Sequence, residues 1–92
     1  MTARSAIIVN QLGMHARAAA RFVHLAASFK SSVRVRRDAR EFDGKSIMGI
    51  LLLAAVRGAR LTISAEGRDE ATAVEALCRL VESGFGEDSC NS

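Results

Sequence analysis

Leu61-Thr62-Ile63-Ser64-Ala65-Glu66 alternates apolar and polar residues without a break, the clearest strand signal in the chain. Successive side chains of a strand point to opposite faces, so Leu61, Ile63 and Ala65 are expected inside and Thr62, Ser64 and Glu66 outside. Val33 and Val35 alternate in the same way with Ser32, Arg34 and Arg36. Residues 5–10 (SAIIVN) are a β-branched run that predicts a first strand. Residues 40–42 are a weaker candidate, because the turn before them lacks an Asn-Gly or Asp-Gly pair. Strands that alternate have one wet face, so helices should cover only the other.

Between these strands the period changes to that of a helix. Over residues 16–29, Ala19, Phe22, Val23, Ala26 and Phe29 recur at helical spacing and define a buried stripe, while the many alanines favour helix. Ser46 is placed to N-cap a short helix over residues 47–53. Gly58 marks a turn. Asp69 is the expected N-cap of a last helix carrying Val74, Leu77, Cys78, Leu80 and Val81, with Glu75 and Arg79 one turn apart and Gly84 as its stop. The order β-α-β-β-α-β-α predicts a two-layer α+β domain. The expectation is a single domain over residues 1–92, ordered from about residue 4 to residue 85, with a frayed C-terminal tail.

Composition narrows the function classes. The longest apolar run covers residues 50–56, well short of the ~20 residues a membrane helix needs, so no membrane insertion is expected. The N-terminus lacks the basic segment, apolar stretch and cleavage site of an export signal. Cys78 and Cys90 form no disulfide framework, which fits a reducing cytoplasm. The net charge of +3 is spread thinly, with only Arg34, Arg36, Arg37 and Arg40 loosely grouped. The aromatic residues are four Phe, with no Tyr or Trp to stack on bases, so a solvated basic face is expected and no nucleic acid.

Gly13-Met14-His15-Ala16-Arg17 carries the chemistry. A helix start exposes backbone N–H groups and the positive end of the dipole, and so favours an anion. An imidazole of ordinary pKa is a competent nucleophile near neutral pH, and a guanidinium offers forked donors to phosphoryl oxygens. Together they suggest a phosphoryl group accepted by His15 and held by Arg17 and the helix amides, against the plainer readings of a surface or capping histidine and a solvated arginine. No metal site is expected at His15, since no Cys, Asp or second His lies at ligand spacing and His24 falls on the opposite helix face. No triad partner can be identified.

Asp43-Gly44-Lys45-Ser46 looks like the end of a phosphate loop, but the glycine required five residues before Gly44 is Ala39. A nucleotide-binding loop is therefore rejected and no cofactor is called for. Ser46 reads as a helix cap, or more sharply as a phosphorylation site, where phosphate would suit the helix start and add about two negative charges. The run through Ile47, Met48, Ile50, Leu51, Leu52 and Leu53 is more apolar than a short amphipathic helix requires. All but Ile47, Met48 and Leu51 are expected in the core, and those three are left as a docking patch.

On Asn10-Gln11-Leu12-Gly13-Met14-His15-Ala16-Arg17, Gly44-Lys45-Ser46-Ile47-Met48-Gly49 and residues 61–67, the chain resembles the HPr family of histidine-containing phosphocarrier proteins, over about residues 5–84. The resemblance implies an open-faced β-sandwich, a four-stranded antiparallel sheet with three helices on one side. It implies that His15, through Nδ1, takes a phosphoryl group from Enzyme I and hands it to an EIIA-type protein. Arg17 and the backbone of Ala16, Arg17 and Ala18 would steady the phosphoryl oxygens, and Ile47, Met48 and Leu51 would dock partners. Ser46 matches the family's regulatory serine, the target of HPr kinase/phosphorylase in lineages that have it. The family usually has proline where this chain has Ala18, which should loosen the entry to the site. The resemblance points to a stoichiometric relay more than a turnover enzyme, and a monomer is the default expectation for a carrier that must dock two partners in turn. The alternative is a regulatory module, nitrogen-related or controlled through Ser46, without direct sugar transport.

Overall fold

Residues 1–86 are described by a computed structural model. The chain runs through β1 (Thr2–Ile7), α1 (Ala16–Ala27), β2 (Ser32–Arg37), β3 (Arg40–Asp43), α2 (Ile47–Leu52), β4 (Arg60–Glu66) and α3 (Glu70–Glu82), and closes on a 3-10 turn at Gly84–Gly86. The alternation of residues 61–66 governs the sheet. Leu61, Ile63 and Ala65 of β4 are buried, whereas Glu66 is exposed. The strands lie in the order β1-β4-β2-β3, every neighbour antiparallel. Register brings the inward residues together: Ala6 lies opposite Leu61, Val35 opposite Ile63 and Val33 opposite Ala65.

Helices complete the core on that one face. Ala18, Ala19, Phe22 and Ala26 of α1 are buried, as are Ala73, Val74, Leu77, Cys78 and Val81 of α3, with Ile50 and Leu53 from α2 and its end. Fully burying a Phe or Leu side chain stabilises by about 1.5–3 kcal/mol, so Phe22 and Leu77 are principal contributors. The fold is a four-stranded antiparallel open sheet with three helices, the architecture expected.

Boundaries shift where partners overrule local propensity. β1 begins at Thr2 and ends at Ile7, three residues earlier at each end than the β-branched run predicts, because β4 sets the ladder from Thr2↔Ala65 to Ile7↔Arg60. Beyond it, Ile8 donates its N–H to the Ala59 carbonyl (3.0 Å) and accepts from Gly58 N–H (2.8 Å), so Ile8 is buried while Ile7 and Val9 are exposed. α1 stops at Ala27 instead of Phe29, since the Ser28 hydroxyl donates to the Leu25 carbonyl at 2.6 Å and draws the backbone out of the helix. Val23 and Phe29 pack against the core only partly buried. The β2–β3 hairpin closes on Asp38 and Ala39, with Asp38 at φ 56°, a left-handed conformation that aspartate tolerates. α2 ends at Leu52, with Leu53 as its C-cap. Gly84, at φ +72°, follows the Ser83 cap of α3 as expected. Cys90 and the tail predicted to fray lie outside the described residues, apart from Gly86.

Asp69 precedes α3, but its carboxylate does not cap that helix. It reaches across to the α1–β2 loop, where Oδ1 accepts from the Ser31 hydroxyl (2.5 Å) and Ser31 N–H (2.9 Å) and Oδ2 from Lys30 N–H (3.0 Å). These bonds, led by the serine hydroxyl, lower its pKa from 3.8 to about 2. Glu70 is likewise lowered from 4.5 to about 2, first by the Thr2 hydroxyl (2.6 Å) and then by Gly67 N–H (3.1 Å). Each folded pKa lies below the unfolded one. Their stabilisation is therefore full above the unfolded values and lost as pH falls through them toward 2. The thermal midpoint should drop steadily as pH is lowered from about 5 to about 2. In Asp69→Asn that drop should be shallower, on a lower baseline at neutral pH.

Candidate functional site

The site is built where the chain leaves β1, crosses the end of α2 and enters α1. Asn10 opens a tight turn: its carbonyl accepts from Gly13 N–H (3.1 Å) while its buried side-chain Nδ2 donates to the Gly13 carbonyl (2.8 Å). Met14 N–H then donates to the Ala55 carbonyl at 2.9 Å, fastening the loop to the segment after α2. Gly13 has φ +67°, and a Cβ there would lie 2.6 Å from the Ala55 carbonyl oxygen and 3.0 Å from Val56 Cα. Only glycine accepts both the conformation and the close approach.

His15 emerges from this turn as the N-cap of α1, with extended backbone (φ −78°, ψ −179°). Its Nδ1 accepts from Arg17 N–H at 3.3 Å, which assigns the proton of the neutral ring to Nε2 and directs the Nδ1 lone pair at the helix start. The His15 carbonyl accepts the first helical bond, from Ala19 N–H (2.8 Å). The amides of Ala16, Arg17 and Ala18 thus lie ahead of the helical ladder, at the positive end of the dipole. Ala18 also buries its methyl completely in the core. The imidazole is half-buried. Leu12, His15, Ala16 and Arg17 line an open depression of ≈ 510 Å³. Arg17 is exposed, and among the described residues no carboxylate pairs with its guanidinium. His24 lies away from His15, in a groove shared with Arg17, Arg21 and Leu80. Among the described residues no three His, Cys, Asp or Glu side chains gather as a metal site would require.

Ser46 caps α2, its Oγ accepting from Gly49 N–H at 3.1 Å. Lys45 anchors the same turn to the end of α1 through Nζ to the Phe29 carbonyl (2.8 Å). Ile47, Met48 and Leu51 are exposed, as expected from the sequence, but so is Leu52, which its place in the apolar run assigns to the core. Leu12 and Val56 are exposed as well, beside His15 and against Gly13 respectively, and no periodicity in the sequence marks either. The signal available was position: each flanks a residue pinned by backbone contacts. The arginine group is not a simply solvated face either. Arg34 pairs with Glu41 (3.1 Å), while Arg37 and Arg40 donate to carbonyls at the end of α2.

Comparisons with known proteins converge on one family. A family model described as the PTS HPr component phosphorylation site matches residues 2–83. The phosphocarrier protein HPr of Cupriavidus necator is 45% identical over 87 residues, covering 95% of this chain and 98% of that one. A crystal structure of HPr-C-His from Thermoanaerobacter tengcongensis aligns with a TM-score of 0.92 at 44% identity, covering 97% of this chain and all (100%) of the other. A structure described as an HPr dimer from the same organism aligns at 0.75 with 45% identity, covering 95% and 100%.

The fit of Gly13 yields a test. Gly13→Ala should cost at least about 1–2 kcal/mol in urea unfolding, the penalty of a left-handed alanine, plus the clash with Ala55. Gly58→Ala, at φ +90° with nothing within 4 Å of the added carbon, carries the backbone penalty alone. The Arg17 amide resonance should move in the first variant and stay in place in the second.

Proposed function

This chain belongs to the HPr family, and on that premise we propose that it is a cytoplasmic phosphoryl carrier of the phosphoenolpyruvate-dependent phosphotransferase system. His15 takes the phosphoryl group from the phosphohistidine of Enzyme I and delivers it to a histidine of an EIIA-type protein. The observation that carries this reading is the placement of His15 Nδ1 at the mouth of α1, within 3.3 Å of Arg17 N–H. In the transfer the Nδ1 lone pair forms a new N–P bond in line as the donor's N–P bond breaks. The electron pair of the broken bond stays on the donor ring.

A phosphoryl group on Nδ1 displaces the weak capping bond. Its oxygens instead accept from the amides of Ala16, Arg17 and Ala18 and from the Arg17 guanidinium. Positioning and electrostatics carry the step. The gain must stay modest, because a relay has to release the group to its next partner. Ala18 in place of the family's proline leaves one more N–H in the first turn and a slightly looser entry.

Ile47, Met48 and Leu51 serve as the docking face, widened by Leu12, Leu52 and Val56. The carrier works as a monomer, since the same face must meet two partners in turn. A regulatory reading is favoured by Ser46, which stands at the start of α2 beside that face. Phosphate placed there by an HPr kinase/phosphorylase can keep the cap while adding charge that opposes docking to an acidic surface.

Incubation with Enzyme I and phosphoenolpyruvate should give acid-labile phosphate on the wild type and none on His15→Ala. Equal labelling of His15→Ala would sink the assignment. Arg17→Ala should slow uptake by about ten- to a hundredfold, the scale of one lost charge-assisted donor. Ser46→Ala should cost about 1 kcal/mol of stability through the lost cap and leave uptake near wild type. Ser46→Asp should keep the stability and slow uptake.

A further inference from the structure

The arginine group singled out in the sequence is not absorbed by the carrier chemistry, yet two of its members are committed to one place. Arg37 and Arg40 face each other across the β2–β3 hairpin. Like charges directly opposite on a sheet repel unless both are drawn to acceptors. Here Arg37 Nη1 donates to the Leu53 carbonyl (3.1 Å) and the Ala54 carbonyl (2.6 Å), and Arg40 Nη1 donates to the Leu52 carbonyl (3.1 Å). The Leu52 and Leu53 carbonyls are among those that the end of a helix leaves without helical partners, and Ala54 follows directly.

The segment so gripped is under strain. Ala54 sits at φ 51°, a left-handed conformation that costs an alanine energy and persists only where its surroundings hold it. The next residue, Ala55, is buried, and its carbonyl accepts from Met14 N–H at 2.9 Å. That same carbonyl oxygen is the atom closest to Gly13. A continuous series of contacts therefore leads from the two guanidinium groups, through residues 52–55, to the backbone immediately before His15.

We propose that Arg37 and Arg40 are positioning residues for His15, clamping the end of α2 so that the Ala55 carbonyl sets the height and direction of the turn presenting the imidazole. The inference rests on the reading of His15 as phosphoryl acceptor and adds what fixes its position. Neither arginine touches the transferred group.

The test uses the isotope-labelled full chain with Enzyme I and phosphoenolpyruvate, reading amide hydrogen exchange at Met14 and the initial rate of phosphoryl uptake. In Arg37→Ala, Met14 exchange should rise roughly tenfold, about the scale of one lost charge-assisted hydrogen bond, and uptake should slow by a similar factor. Amides of α3 and β4 should exchange as in the wild type. Arg37→Lys should recover part of both effects, because an ammonium can still serve one carbonyl. Arg34→Ala and Arg36→Ala remove the same charge from the same strand and should leave both readouts unchanged.

Wild-type exchange at Met14 in the Arg37→Ala, Arg40→Ala double variant overturns the proposal. So does faster exchange with uptake unaltered, or an equal slowing of uptake in Arg34→Ala. Where Arg37→Ala loses protection throughout the fold, Arg40→Ala, which gives up a single exposed bond, decides on the same two readouts. A wild-type chain that takes no phosphoryl group at all would sink the carrier reading, and the clamp would then stand or fall on Met14 exchange alone.

Discussion

Gly13 and Ala55 approach so closely that no side chain fits between them, and the Met14–Ala55 hydrogen bond seals the contact. Everything around His15 depends on this junction. It joins the exit of β1 to the end of α2, two segments far apart in sequence, and it sets the direction in which the chain enters α1. A side chain at position 13 would meet the Ala55 carbonyl oxygen and push the turn away from the segment after α2. Backbone packing at Gly13 and Ala55 and the grip of Arg37 and Arg40 on residues 52–54 meet at this junction.

On that junction the chemistry is spare. A capping imidazole, a first turn of amides and one guanidinium without a carboxylate partner among the described residues make a site suited to a group that must arrive and leave. Deep burial or several fixed cations would bind a phosphoryl group more firmly and slow its departure. The ring is half-buried beside an open depression. Two exposed apolar residues flank the same loop, Leu12 beside His15 and Val56 against Gly13. Away from it, Asp69 and Glu70 tie the opposite loops with carboxylates held near pKa 2. Acid should therefore loosen the far end of the fold through groups distant from His15.

Helix ends recur as the places where this chain spends its polar side chains. His15 and Ser46 cap α1 and α2 at their starts, Arg37 and Arg40 serve the end of α2, and Lys45 serves the end of α1. Asp69, which local sequence assigns to the same duty at α3, is drawn off by Ser31 and Lys30, because three donors there outcompete a single capping amide. A cap predicted from sequence is correct only when no better set of donors lies within reach.

The fold and the central residues were legible from the chain because they follow from local periodicity. Alternation in β4 gave the one-sided sheet, the spacing of Phe22 and Ala26 gave α1, and Gly13 before His15 gave the histidine at a helix start. Family motifs added the chemistry expected of that ring. Tertiary structure alone decided what depends on partners distant in sequence. Pairing with β4 moved β1 to start at Thr2, the shortness of α2 left Leu52 in solvent, and the hairpin sent Arg37 and Arg40 to the end of α2. The physical reason is range: periodicity and capping act over a few residues and are written locally, whereas register, exposure and the choice of hydrogen-bond partner arise only once distant segments compete for the same space.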